Sequence, residues 1–150
     1  MTVSLFTIGY EGLDPNQFLA QLIASGIGVV IDVRERASSR KPGFAKSALA
    51  EALAAHDIKY LHFRSLGCPK AIRYRYREDG DWAVYSDAYR AYLRTQTASL
   101  SELARLAAAQ TCVLLCFEAD AMRCHRRYVA ARAAEQVRER VNIEHLTPGR

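Results

Sequence analysis

The side chains best suited to chemistry are concentrated between residues 116 and 126. Cys116 ends an apolar run, and Cys124, His125 and Arg126 follow it after the seven-residue loop 117–123. If residue 124 opens a helix, free backbone amides and the positive end of the helix dipole can bind an anion there and lower the pKa of a nearby thiol. Cysteine, histidine and arginine at such a place could act on a phosphate or sulfur group, with a thiolate as nucleophile.

The cysteines of this segment also have a simpler interpretation as core residues. Cys112, Leu114 and Cys116 alternate along one predicted strand and share a face, where a free cysteine often serves as a small apolar side chain. Met122 stands where a phosphatase loop has its arginine, six residues after the cysteine. The loop also lacks glycine, so its amides are less free to surround an oxyanion.

No metal ligands are predicted, because the sequence has no CxxC pair and none of the usual zinc-ligand spacings. A zinc or iron site is the alternative, with Cys116, Glu118, Cys124 and His125 as its ligands. No secretory signal is visible, and the longest apolar run, 112–117, is too short to cross a membrane. We therefore expect a cytoplasmic protein with no membrane partner and no structural disulfide. Nothing in the sequence indicates a cofactor or an oligomeric state.

Two carboxylates could do acid–base work. Glu11 and Glu118 each follow a predicted strand, and neighbouring strand ends would bring them face to face. The alternative, which we expect for the resting structure, is that each forms an ion pair with an arginine such as Arg34 or Arg126.

Alternating strand and helix patterns must position these residues. Strands are predicted at 3–8, 29–33, 58–63, 111–117 and 141–146, and helices at 15–25, 47–56, 82–95, 99–109 and 124–138. Residues 64–81 have no clear period and are predicted to form a long loop. The alternation predicts one domain, 1–150, with a three-layer α/β/α, Rossmann-like fold and a mostly parallel five-stranded sheet. We expect the strand order 3-2-1-4-5.

Basic residues are concentrated where these strands end. The 150-residue chain has a net charge of +5. Residues 34–41, 64–77 and 123–132 hold 13 of the 21 Lys and Arg residues and one of the 16 Asp and Glu residues, so their net charge is +12 and the rest of the chain has −7. Parallel sheets bind ligands at the carboxyl ends of their strands, so this distribution predicts an anionic partner.

The segment before the third helix has a pattern of its own. Tyr74 and Tyr76 alternate with Arg73, Arg75 and Arg77. Such alternation can stack on bases and bind phosphates. The alternative is an ordinary solvent-facing loop.

Motifs along most of the chain point to a family. They are Thr7–Gly12, Asp32–Arg34 with Ser39–Phe44, Leu66-Gly67 with Pro69-Lys70, Gly80-Asp81, and Cys116–Glu118 with Cys124–Arg126. Together they resemble the bacterial and archaeal family catalogued as domain of unknown function 488. The resemblance implies a compact α/β domain but no reaction. It also implies a pocket made of Tyr10, Glu11, Arg34, Arg40, Glu118, Cys124, His125 and Arg126.

A weaker resemblance points to sulfur chemistry. Asp32-Val33-Arg34 and a later strand-ending cysteine are similar to rhodanese-like sulfur-transfer domains. Glu118 and Asp120, however, stand where small residues would donate amides to a persulfide, and their charges would repel that anion.

We predict that a phosphate-bearing small molecule or a nucleic acid binds at this basic edge, with hydrolytic or repair-related chemistry as one option. The alternatives are a thiol-dependent enzyme of the rhodanese or phosphatase type that uses Cys116 or Cys124, and a non-catalytic domain in which residues 124–126 lock the last helix to the sheet. The predicted catalytic residues are Glu11, Glu118, Cys124 and His125. The predicted ligand-binding residues are Gly9, Tyr10, Arg34, Arg40, Lys70, Cys116 and Arg126.

Overall fold

Five parallel strands form one sheet in the computed structural model, which describes residues 2–147. The strands are β1 (Thr2–Gly9), β2 (Val29–Asp32), β3 (Lys59–His62), β4 (Cys112–Cys116) and β5 (Arg140–Leu146). Because every pairing is parallel, all the carboxyl ends lie at one edge of the sheet. The register places Gly9 beside Cys116 at that edge.

The observed strand order is β3-β2-β4-β1-β5, so the expected order 3-2-1-4-5 is wrong. β4 lies between β2 and β1, in the centre of the sheet. All five residues of β4 and all four of β2 are buried, whereas β1 and β5 each have exposed positions. A strand that is apolar at every position is best accommodated where helices cover both of its faces, which is the centre.

Helices cover both faces of the sheet and confirm the three-layer α/β, Rossmann-like architecture. One face packs against α1 (Pro15–Ala24) and α2 (Lys46–Ala54). The other packs against α4 (Trp82–Leu93), α5 (Thr97–Ala109) and α6 (Arg126–Glu135). Among the described residues, no helix is long and apolar enough to cross a membrane.

Residues 64–81 are not the predicted loop. They form a short 3₁₀ turn at Arg64–Leu66 and the helix α3 (Lys70–Asp79). No α3 residue is fully buried, so the segment lacks the apolar stripe that identifies a helix in a sequence. Instead, Ile72 and Tyr76 are partly buried against the core on the α4 side of the sheet.

Several element boundaries differ from those predicted. α1 begins at Pro15, the predicted start, and Asp14 caps it through a capping box with Gln17. α5 begins at Thr97, two residues before the predicted start at Ser99, and the Ser99 hydroxyl bonds the hydroxyl of Ser65. α6 begins at Arg126, two residues after the predicted start.

Candidate functional site

A cavity of about 350 Å³ opens at the carboxyl ends of β1, β2 and β4. Aromatic side chains from α3 and α4, namely Tyr76, Trp82 and Tyr85, form part of its lining. The charged residues that line it are Arg34, Glu35, Arg36, Arg73, Arg77, Glu118 and Arg123. The cavity therefore joins the strand ends expected from the sequence to two helices, one of which was expected to be a loop.

The structure brings part of the predicted site together. The predicted residues that line this cavity are Tyr10, Arg34, Cys116, Glu118 and His125. Arg40 instead lines a neighbouring cleft of about 570 Å³, together with Arg36, Arg73 and Arg77. The Lys70 ammonium lies over the ring of Tyr74, 5.1 Å from its centroid. The predicted residues outside the cavity lining are Gly9, Glu11, Arg40, Lys70, Cys124 and Arg126.

Arg34 is held by groups of the protein itself. Its Nε and Nη2 donate to the two carboxylate oxygens of Asp32, at 2.9 and 2.7 Å, and Nη1 donates to the carbonyl of Phe44 at 2.8 Å. Both members of this ion pair are buried. A bidentate buried pair is strong and fixes the loop that follows β2. Arg34 therefore shapes the cavity wall, and its charge is largely neutralised by Asp32.

The expected ion pairs of the two glutamates are wrong. Within residues 2–147, neither Glu11 nor Glu118 lies in an ion pair with any arginine or lysine. Glu11 instead accepts a hydrogen bond from the backbone amide of Ala119, at 2.9 Å. Burial raises the pKa of Glu118, and the charge of Glu11 adds to this effect. Glu118 is thus the carboxyl group of the cavity that is best suited to hold a proton.

His125 ties the start of α6 to the end of β2. Its Nε2 lies 2.7 Å from the carbonyl of Val33, and because a carbonyl only accepts, Nε2 bears the proton. Nδ1 keeps its lone pair and lies 3.8 Å from the Cys124 sulfur. Burial lowers the pKa of His125 to about 4, so the ring is neutral at pH 7. A neutral, buried imidazole is a weak base and acts here mainly as a structural link.

This burial makes the free energy of unfolding depend on pH. The unfolded chain protonates His125 near pH 6.5, but the folded chain does so only near pH 4. Stability is therefore complete above pH 6.5 and is lost as the pH falls toward 4. We expect the stability of the wild type relative to His125→Gln to fall by about 3 kcal/mol between pH 7 and pH 4 in urea titrations. The matched control His56→Gln changes an exposed histidine and should keep the wild-type dependence; equal pH profiles for all three proteins would contradict the prediction.

Arg126 is a fully buried cation without a carboxylate partner in the described part of the chain. Its Nε bonds the Thr7 hydroxyl at 3.0 Å, and Nη1 lies 3.1 Å from the sulfur of Cys116. The guanidinium also donates to the carbonyls of Glu118 and Ala119. Burial lowers the pKa of Arg126 to about 10, which still leaves it charged at neutral pH. Arg126 thus joins α6, β1, β4 and the loop after β4.

Cys116 and Cys124 have their sulfur atoms in bonding contact, with Cα atoms 7.8 Å apart. The contact between these two sulfurs was not expected from the sequence, whereas Cys68 and Cys112 are free and buried. Possible metal-ligating atoms of Cys116, Glu118 and Cys124 lie within 4.8 Å of one another, a set that does not include His125. The adjacent guanidinium of Arg126 opposes a divalent cation at this place, because both charges are positive.

The sequence singled out Arg73, Tyr76 and Arg77 as possible base- and phosphate-binding residues, but their segment was predicted to be a loop and they were not placed in the site. Trp82 and Tyr85 were missed altogether. Arg73, Tyr76 and Arg77 have i, i+3 and i+4 spacing, and Trp82 and Tyr85 are three residues apart. In helices these spacings place side chains on one face. The signal was present but could be interpreted only if residues 70–79 were recognised as a helix. Arg36 lies in a loop and Arg123 ends a short 3₁₀ turn (Ala121–Arg123), so no helical or strand period could indicate their direction.

Comparison with known proteins assigns the chain to a family. A family model described as "Domain of unknown function DUF488" matches residues 14–133. The chain belongs to the DUF488 family. Of the residues that line the cavity in this DUF488 protein, only Tyr10 lies outside the matched range. No curated protein and no solved structure matches the chain significantly.

Proposed function

We propose that this DUF488 protein binds a nucleotide, a ligand with phosphate groups and an aromatic base, in the cavity at the carboxyl ends of β1, β2 and β4. One observation supports the proposal most directly. The cavity combines three arginines that have no ion-pair partner in the described chain with an aromatic wall of tyrosine and tryptophan.

The charge of the lining favours an anion. Of its five arginines, Arg34 is paired with Asp32, and Arg73 is paired with Glu35 at 2.6 Å. Arg36, Arg77 and Arg123 form no ion pair within residues 2–147. Arginine binds phosphate through several N–H donors at once, so three unpaired guanidinium groups around one cavity suit a phosphate chain.

The aromatic wall favours a planar group. Trp82 stacks on Tyr85 with ring centroids 4.8 Å apart, and Tyr76 contacts Trp82 edge to face at 5.7 Å. Arg123 lies over Trp82, 5.8 Å from the ring centroid. Trp82 is only partly buried, so part of its ring can stack on a base. The phosphate groups would then contact the arginines, and the base would contact the aromatic wall of the same cavity.

The size of the cavity favours a small molecule over a nucleic-acid duplex. At about 350 Å³ it falls in the lower range of small-molecule sites. Arg36, Arg73 and Arg77 also line the adjacent cleft with Arg40, so the positive surface continues beyond the cavity. A ligand with two phosphates can therefore extend toward Arg40. Glu118 lines the cavity and burial raises its pKa, so it would be the proton donor to a leaving group if the ligand is hydrolysed.

A second candidate function is thiol chemistry at Cys116 or Cys124. The observation that favours it is the contact of the Arg126 guanidinium with the Cys116 sulfur, at 3.1 Å. Cys116 lines the cavity and Cys124 does not, so Cys116 is the thiol that a ligand can reach.

Trp82 is the one tryptophan of the chain and gives a direct test of nucleotide binding. We expect ADP to quench its fluorescence, with a dissociation constant that rises about tenfold in Arg77→Gln because a charged hydrogen bond is lost. Arg105→Gln, an exposed arginine on α5 outside the cavity, is the matched control and should bind ADP like the wild type.

Competition with other ligands tests the phosphate contacts and the base contacts separately. Inorganic pyrophosphate should compete with ADP but bind more weakly, since it lacks the base. A single-stranded oligonucleotide that binds far more tightly than ADP, with affinity that falls steeply with salt, would replace the nucleotide by a nucleic acid. If ADP at low salt leaves the fluorescence of Trp82 unchanged, or if both arginine variants weaken binding equally, the proposal is wrong.

A further inference from the structure

The charge of Arg126 has few possible partners in its surroundings. Buried charges in proteins are normally paired with an opposite charge. The guanidinium contacts a hydroxyl, two carbonyls and one ionisable group, the thiol of Cys116. The charges of Glu118 and Asp120 act on Arg126, but neither carboxylate forms an ion pair with it. In the reduced protein, a thiolate at Cys116 would supply a negative charge in direct contact, at 3.1 Å.

The other groups around the two sulfurs are also defined. Glu118 Oε2 lies 3.7 Å from the Cys116 sulfur, and burial raises the pKa of this carboxyl, which limits its repulsion of a thiolate. His125 Nδ1 lies 3.8 Å from the Cys124 sulfur and can accept a hydrogen bond from that thiol. Arg126 is the cation that touches either sulfur among the described residues. The site thus favours an anion at Cys116 and a neutral thiol at Cys124.

Of the two cysteines, only Cys116 can be reached from the cavity. Cys116 lines the cavity, whereas Cys124 lies behind it, with its sulfur in contact with that of Cys116. A reagent in the cavity therefore meets Cys116 first. Cys124 does not line the cavity, so it can react only afterwards, by attacking the sulfur of Cys116.

We propose that Cys116 and Cys124 form a reversible dithiol–disulfide pair that exchanges with a low-molecular-weight disulfide, RSSR, in the cavity. The Cys116 thiolate attacks one sulfur of RSSR, so a Cys116–SR bond forms and RS⁻ leaves. Cys124 gives its proton to that RS⁻ through solvent and attacks Cys116, which expels the second RS⁻. Two electrons pass from the protein to RSSR, and the products are RSH, RS⁻ and the Cys116–Cys124 disulfide.

Arg126 also sets the direction of this exchange. Forming the disulfide removes the thiolate and leaves the buried guanidinium without an anion. A dithiol whose thiolate is stabilised is favoured over its disulfide, as in strongly oxidising thiol pairs. The pair therefore returns readily to the reduced state when thiols are in excess. This inference is independent of nucleotide binding, which Trp82 fluorescence reports separately.

Cys68 provides a matched control within the same molecule. It also lines the cavity, and its exposed fraction, 2 %, is close to the 1 % of Cys116. It touches no unpaired cation, and burial raises its pKa to about 11. After reduction, iodoacetamide at pH 6.5 should modify Cys116 at least about tenfold faster than Cys68, as mapped by mass spectrometry. Equal rates at the two cysteines would overturn the proposal.

Exchange itself is tested with glutathione. In excess oxidised glutathione the wild type should lose two hydrogen atoms and become the Cys116–Cys124 disulfide, and reduced glutathione should reverse this. Cys124→Ser should stop at a mixed disulfide of glutathione on Cys116, whereas Cys112→Ser should behave like the wild type. A protein that forms no disulfide, or a Cys124→Ser variant that takes up no glutathione, would refute the exchange. Both serine variants leave Arg126 in place, and circular dichroism before the reaction checks that each is folded.

Discussion

We expect alanine at position 9 to destabilise the protein strongly. A Cβ atom built on Gly9 would overlap the backbone carbonyl of Glu118, which is not a flexible group that can move aside. Two backbone hydrogen bonds hold the chain after Gly9 against this loop. The amide of Tyr10 donates to the carbonyl of Cys116, and the amide of Glu11 donates to the carbonyl of Phe117. Relieving the overlap requires β1 and the loop after β4 to separate, so we expect a loss of more than about 4 kcal/mol.

Thermal denaturation followed by circular dichroism measures this effect. For a chain of this length, such a loss lowers the melting temperature by roughly 10 °C or more. Gly28→Ala is the matched control, because its Cβ would meet nothing closer than the carbonyl of Thr111 at 3.8 Å. It should change stability by less than about 1 kcal/mol. If Gly9→Ala has the same melting temperature as the wild type, the prediction is wrong and the loop after β4 can move aside.

The second large effect is expected at Arg126. Arg126→Met keeps an unbranched side chain but leaves the Thr7 hydroxyl and the carbonyls of Glu118 and Ala119 without their donor. Several buried acceptors lose their partner at once, so we expect a loss of roughly 3–5 kcal/mol in urea titrations under reducing conditions. The neighbouring Arg127→Met, whose side chain bonds Met122 and Tyr128 near the surface, should lose less than about 1 kcal/mol.

The two variants together separate stability from function at the start of α6. If Arg126→Met unfolds no more easily than Arg127→Met, the guanidinium is not a structural link. Its contact with Cys116 would then be its principal role. If it is strongly destabilised, the interpretation of residues 124–126 as a lock between the last helix and the sheet is supported.

Sequence reasoning located most elements because local signals identify them. The apolar runs predicted all five strands, and the start of α1 was predicted at residue 15, where the Asp14 cap involves only neighbouring residues. It failed for α3, because that helix has no fully buried residue and so no apolar stripe. It also failed for the position of β4. The expected order put β1 in the centre, between the two strands with fully apolar runs, residues 29–31 in β2 and Cys112–Cys116 in β4.

Part of the candidate site could be predicted from the sequence for the same reason. Residues at the ends of strands, such as Tyr10, Cys116 and Glu118, could be placed at one edge as soon as the sheet was expected to be parallel. Which arginines are unpaired could not be predicted, because this depends on partners far along the chain. Arg34 is bound to Asp32 and Phe44, whereas Arg123 meets Trp82 forty-one residues away. The pairing of Glu35 with Arg73 likewise required α3 to exist.

The central position of β4 affects how the protein is made. β1 has only β4 and β5 as neighbours, and the inner edge of β2 pairs only with β4. Until residue 116 has left the ribosome, β1 therefore has no partner and one edge of β2 stays open. Unpaired strand edges on a growing chain invite association with other chains, and contacts between distant residues form slowly. The chain thus completes its sheet late in synthesis, and its dependence on chaperones should be greatest in the interval before β4 emerges.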